Sequence, residues 1–81
     1  MYQKIDQLIW VAGSYQKAKF KPIKFKWQNR EIKIDRITLI SDFKDGAIKK
    51  RYYSVVAGSE LYRLEFNRDS ENWYLREIWV E

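Results

Sequence analysis

The residues best suited to chemistry in this chain are cationic and aromatic. Lys17, Lys19, Lys21, Lys24 and Lys26 fall within ten positions, interleaved with Ala18, Phe20, Pro22, Ile23 and Phe25. Lysines on alternate positions of an extended segment share one side, and a row of ammonium groups at that spacing suits a nucleic-acid phosphate backbone. The same row equally suits a solvated strand face that protects a sheet edge. The imbalance is local: residues 1–30 carry seven basic groups against Asp6 alone, whereas residues 31–81 carry nine basic and ten acidic groups. The whole net charge of +5 therefore lies in the first third of the chain, and an anionic partner is expected.

Other chemistries are excluded by residue type. The chain has no histidine and no cysteine, which removes thiol nucleophiles, histidine-based triads, Cys/His zinc sites and disulfides. Gly13, Gly46 and Gly58 are isolated, so there is no phosphate-cradling loop. Ser14, Ser41, Ser54, Ser59 and Ser70 lack an activating base. The close acidic pairs, Asp42 with Asp45 and Asp69 with Glu71, fall in expected loops and read as solvated turn residues. The expectation is a non-enzyme with no catalytic residues, no metal site and no cofactor.

The elements that must position the lysines are strands. At 81 residues the chain is one domain, 1–81, and a chain of this size buries only about 60% of its unfolded surface. An aromatic content of 17% with one proline rules out a disordered chain, and most of those rings are needed as core. Phe20, Ile23, Phe25 and Trp27, then Ile32 and Ile34, give two alternating runs around a tight turn at Asn29-Arg30. A parity slip near Asp35-Arg36 predicts a bulge or bend. Asp42–Lys49 reads as a connection, Arg51–Ala57 as a strand, Gly58-Ser59 as a hairpin turn, Leu61–Phe66 as a strand, Asn67–Asn72 as a polar loop and Trp73–Val80 as the last strand. Residues 2–12 read as a strand ended by Gly13-Ser14, with a short helix as the alternative. The expected fold is all-β: an antiparallel meander of five or six strands curled into a small barrel or twisted roll.

Hairpin registers place side chains on the outside of that sheet. The assigned turns oppose Lys26 to Lys33, Ser54 to Arg63, Tyr52 to Glu65, Glu65 to Tyr74 and Arg63 to Arg76. Two of these are like-charge pairs, each destabilising by a few tenths of a kcal/mol unless an anion bridges them. Lys24, Lys26, Lys33, Arg63 and Arg76 are thus the candidate phosphate contacts, with Tyr52 and Tyr74 as stacking rings. The alternative is that long Lys and Arg stems merely cover the sheet.

The pattern Phe25-x-Trp27-x-x-Arg30-x-Ile32-x-Ile34-x-x-Ile37, then Arg51-x-Tyr53-x-Val55, Gly58, Tyr62-x-Leu64 and Trp73-x-Leu75 resembles a small uncharacterised bacterial β-domain. That family occurs free-standing and fused to the C-terminal side of Y-family, translesion-type DNA polymerases. The resemblance spans residues 20–77. It departs at the first hairpin turn, where the family has glycine and this chain has Gln28-Asn29, and at Phe43, where the family often has Trp. It implies company with DNA-handling enzymes and carries over no site residues.

Two functions follow as expectations. The first is an accessory domain binding nucleic acid, single-stranded DNA favoured, without sequence preference. The second is a protein-interaction module, as a homo-oligomer or docked on a larger partner. It rests on Trp10, Val56, Leu61, Trp79 and Val80, which are too many for so small a core. No apolar run spans a bilayer and no signal peptide is visible, so no membrane partner is expected. The absence of cysteine fits a reducing, cytoplasmic setting.

Overall fold

Four two-residue turns set the architecture. In the computed structural model, which describes residues 1–80, Lys17-Ala18 joins β1 (Tyr2–Gln16) to β2 (Lys19–Trp27), and Gln28-Asn29 joins β2 to β3 (Arg30–Lys33). Gly46-Ala47 joins β4 (Arg36–Asp45) to β5 (Ile48–Ala57), and Gly58-Ser59 joins β5 to β6 (Glu60–Asn67). A longer loop leads to β7 (Trp73–Val80). In that loop the Asn67 side-chain carbonyl accepts from the Asp69 and Ser70 amides, and its backbone carbonyl accepts from Glu71. This is the local competition by which Asn ends a ladder.

The seven strands form one antiparallel sheet in the order β3-β2-β1-β7-β6-β5-β4. Consecutive strands are neighbours throughout except β3 and β4, and the last strand returns to pair with the first. β3 and β4 are thus opposite edges of the sheet, yet only Ile34 and Asp35 separate them in the chain. Ile34 N–H still donates to Ile23 of β2, and Asp35 N–H donates to Val56 of β5, each at 2.8 Å. The Asp35 carboxylate accepts from the Gly58 amide at 2.8 Å. One extended segment therefore changes partner at this fork and draws the two edges together. The ladder remains open below the fork, so the sheet is curled but not closed into a barrel.

Several expectations change here. There are seven strands instead of five or six; residues 2–12 are strand, as the first of the two readings has it, but the strand does not end at Gly13-Ser14 and continues to Gln16. The slip near Asp35 is the fork itself, while a separate bulge lies between Ile37 and Leu39. Asp42–Lys49 is not a long connection: its Asp45-Gly46 turn signal marks a real turn, with Gly46 at φ +63°, but the turn is tight and strands run to Asp45 and from Ile48 through residues whose charges break the apolar alternation.

The curl has one core. Phe25, Val55, Leu64 and Leu75 are fully buried inside it, joined by Tyr53, Ala57, Tyr62 and Ile78. Full burial of each large apolar side chain is worth about 1.5–3 kcal/mol. Tyr62 lies edge-on to Phe25 at 5.1 Å, and its hydroxyl donates to Glu60 at 2.6 Å. Burial first, then that bond, pushes its phenol up to about 12.

Candidate nucleic-acid interface

With Phe25 inside, the alternation of β2 puts Lys24 and Lys26 outside. Register carries this to neighbouring strands: Lys26 opposes Trp10 of β1, Lys24 opposes Ala12, Lys21 opposes Ser14 and Lys19 opposes Gln16. The step of three from Lys21 to Lys24 would ordinarily reverse the face. A register shift between Ala12 and Gly13 absorbs Ile23, so all four lysines stay on one side. Lys33 of β3 stands directly opposite Lys24 and adds to the row. Trp10 lies among them, 53% exposed.

This outer face is poorly neutralised. Glu31 bridges Lys24 at 2.7 Å, and that hydrogen bond and charge hold its carboxyl below the usual glutamate range. Among the described residues, Lys19, Lys21, Lys26 and Lys33 make no ion pair. The expected opposition of Lys26 to Lys33 is corrected: Lys26 opposes Glu31 and Lys24 opposes Lys33. The reason is the turn, which uses Gln28 at φ 53° and Asn29 at φ 60° instead of Asn29-Arg30. The two-residue slide keeps every side chain on its expected face while changing its neighbour.

Arg63, Arg76, Tyr52 and Tyr74 also lie outside, but around β5, β6 and β7, with β1 between them and the lysine row. The expected opposition of Arg63 to Arg76 is corrected as well. The register shifts between Arg63 and Leu64, leaving Arg76 as the extra residue and placing Glu77 opposite Arg63. The β1–β7 ladder shifts at the same level, where Asp6 takes φ 53°. Arg76 spans both irregularities, donating to Asp6 at 3.2 Å and to Glu65 at 2.7 Å.

Glu65 is the centre of this second group. Although it points away from the core, it is only 2% exposed, roofed by its neighbours. Lys50 approaches it at 3.7 Å and Asp45 at 3.3 Å. Burial pushes the Glu65 carboxyl up, but hydrogen bonds from Arg76 and Tyr52, with the Arg76 and Lys50 charges, outweigh it and hold it below the usual range. Tyr52 stacks on Phe43 at 4.4 Å and 13°, with the Arg63 guanidinium 5.1 Å from its ring centre. The Arg76 guanidinium lies 4.5 Å from the Tyr74 ring centre. Arg63 reaches Glu77 at 3.9 Å. These four residues are assembled on one another.

The seven sequence-derived residues thus share the outer surface in two groups: Lys24, Lys26 and Lys33 on β2 and β3, and Arg63, Arg76, Tyr52 and Tyr74 around Glu65. Trp10, Lys19 and Lys21 join the first group; the two lysines belong to the alternating row at 17–26 but not to the set that hairpin register selects, and Trp10 reads from sequence only as leftover apolar surface. The alternation itself marks the two lysines, and the bulge at Ile23 is what keeps them on the same face as Lys24 and Lys26. A further like-charge opposition, Lys44 with Lys49, lies in the segment whose sequence reads as a connection and so carries no register there. Compared with known protein families, curated proteins and solved structures, the chain matches none of them.

Proposed function

We propose that this protein is a non-enzymatic accessory domain that binds single-stranded nucleic acid, without sequence preference, across the outer face of β1, β2 and β3. The observation that carries this reading is the set of adjacent lysines, Lys19, Lys21, Lys24, Lys26 and Lys33, paired among the described residues with Glu31 alone and accompanied by the exposed Trp10. Ammonium groups along a strand track a phosphate backbone, and an exposed indole offers a face to any base. The resemblance to a domain fused to DNA polymerases points the same way by association. The Arg76–Glu65–Lys50 cluster is assigned a different role on this reading, that of holding β1, β5, β6 and β7 in register.

The test is anisotropy of labelled single-stranded DNA against salt. Neutralising five phosphates predicts a log–log slope of about −3.5, hence roughly 100-fold weaker binding at about 200 mM than at about 50 mM salt. Replacing Lys24, Lys26 and Lys33 by Gln is expected to flatten that slope by about 2, whereas Arg63→Gln leaves it unchanged. No binding at low salt, or binding indifferent to salt, would overturn the proposal.

One observation favours a second reading. Val56, Leu61, Trp79 and Tyr2 form a single cross-strand row over β5, β6, β7 and β1, with Leu61 37%, Trp79 51% and Tyr2 50% exposed. A continuous apolar row of this kind suits a protein partner or a second copy. Concentration-dependent mass by light scattering separates the two readings, since a strict monomer that captures no protein leaves the row without an occupant.

A further inference from the structure

Where the curl opens, the inward side of the β1–β2 hairpin faces β5, β6 and β7 across a pocket of about 240 Å³. Its walls are aromatic. Tyr15 meets Phe20 edge-on at 5.4 Å, Phe20 meets Trp73 at 5.7 Å, and Trp73 meets Tyr53 at 5.3 Å. Two arginines, Arg51 and Arg68, complete the lining, and among the described residues no acidic one contributes to it. Asp42 holds Arg51 through Nε and through Nη2 at 3.0 Å. That pair fixes the guanidinium and leaves it further N–H donors. Arg68 makes no ion pair among the described residues. The hairpin tip beside the pocket carries Lys17 and Lys19, and Lys19 begins the lysine row on the other side of the same strand.

We propose that this pocket takes one unstacked nucleobase of a bound single strand, with its ring among Tyr15, Phe20 and Trp73. Its carbonyl edge accepts from Arg51, and its phosphate lies against Arg68 and Lys17. The inference rests on the nucleic-acid reading above and adds a specific subsite to it. Its physical content is charge and shape complementarity: a planar, acceptor-rich ring with an attached anion meets aromatic walls, a pinned donor and a cationic rim. The geometry also gives the strand a path, along β2 from Lys26 to Lys19 and then over the hairpin tip into the opening.

The experiment compares three probes: a thymidine oligonucleotide of about ten residues, an abasic strand of the same length, and thymidine monophosphate. Affinity and the Trp73 indole resonance are read for wild type, Tyr15→Ala and Trp10→Ala. Tyr15 is 77% exposed, so its removal leaves the core intact. The abasic strand is expected to bind about tenfold or more weakly, with the Trp73 resonance moving only when bases are present. Tyr15→Ala narrows the gap without changing abasic binding, while Trp10→Ala leaves the Trp73 response in place. Equal binding of both strands with Trp73 unmoved overturns the pocket and leaves the phosphate reading standing. If neither strand binds, the phosphate reading falls and the mononucleotide decides the pocket: a saturable Trp73 shift supports it, and none overturns it.

Discussion

Glu65 shows how a residue that reads as a solvent-facing partner of tyrosines becomes a buried anion. Its surroundings supply two cations and a phenol, so removing its charge leaves Arg76 and Lys50 facing each other beneath aromatic cover. Glu65→Gln is expected to cost about 2–3 kcal/mol, less than a fully isolated buried pair because Asp6 and Asp45 still engage the cations. Thermal or urea unfolding at neutral pH measures it, and a variant as stable as wild type would mean the cluster holds nothing in register. The depressed carboxyls of Glu65, Asp42 and Glu31 also set the acid limb. Each binds its proton less tightly folded than unfolded, so its contribution is intact above the ordinary carboxylate range near about pH 4 and is lost as pH falls through the depressed folded values. Glu65→Gln should therefore make stability fall less steeply as pH drops below about 4. Gly13 gives a steric case. A Cβ there would press on the Lys21 carbonyl oxygen and lie 2.6 Å from the Phe20 ring. Gly13→Ala is expected to destabilise by about 1–3 kcal/mol, seen as a lower denaturation midpoint.

At the scale of the element, turns decide which pairings could be read in advance. The β5–β6 register was legible in full, Tyr52 against Glu65 and Ser54 against Arg63, because Gly58 at φ +64° marks its turn. The β2–β3 register was not, because Gln28-Asn29 and Asn29-Arg30 are both plausible turns without glycine, and the chain chose the first. The seven-strand count was obscured where charges interrupt alternation, as at Asp42–Lys49. Two hairpins also hold non-glycine residues at positive φ throughout, Lys17-Ala18 at 52° and 65° and Gln28-Asn29. Alanine in this region is disfavoured by about 1–2 kcal/mol. Ala18→Gly should recover about 1 kcal/mol, raising the melting temperature by roughly 4–8 °C for a domain of this size. A lower melting temperature would show that the Ala18 methyl matters more to packing than its backbone strain.

For the whole molecule, what the sequence concealed is what non-local pairing creates. The fork at Ile34-Asp35, the Arg76 bulge shared by two ladders and the aromatic opening all depend on β1 lying between β2 and β7. No local pattern encodes that neighbour. The same placement divides the surface cations: arginines tied to carboxylates around Glu65, and a largely open set of lysines on β2 and β3 of which, among the described residues, Lys24 alone is paired, with Glu31. The account stands on the claim that the open set is where an anionic strand lies. Chemical-shift mapping during titration with single-stranded DNA at low salt tests this most directly. The predicted result is movement of the Trp10 indole and of the amides of Lys19, Lys21, Lys24, Lys26 and Lys33, reversed by added salt. Movement confined to the Tyr2–Trp79–Leu61 row, or none, would contradict it.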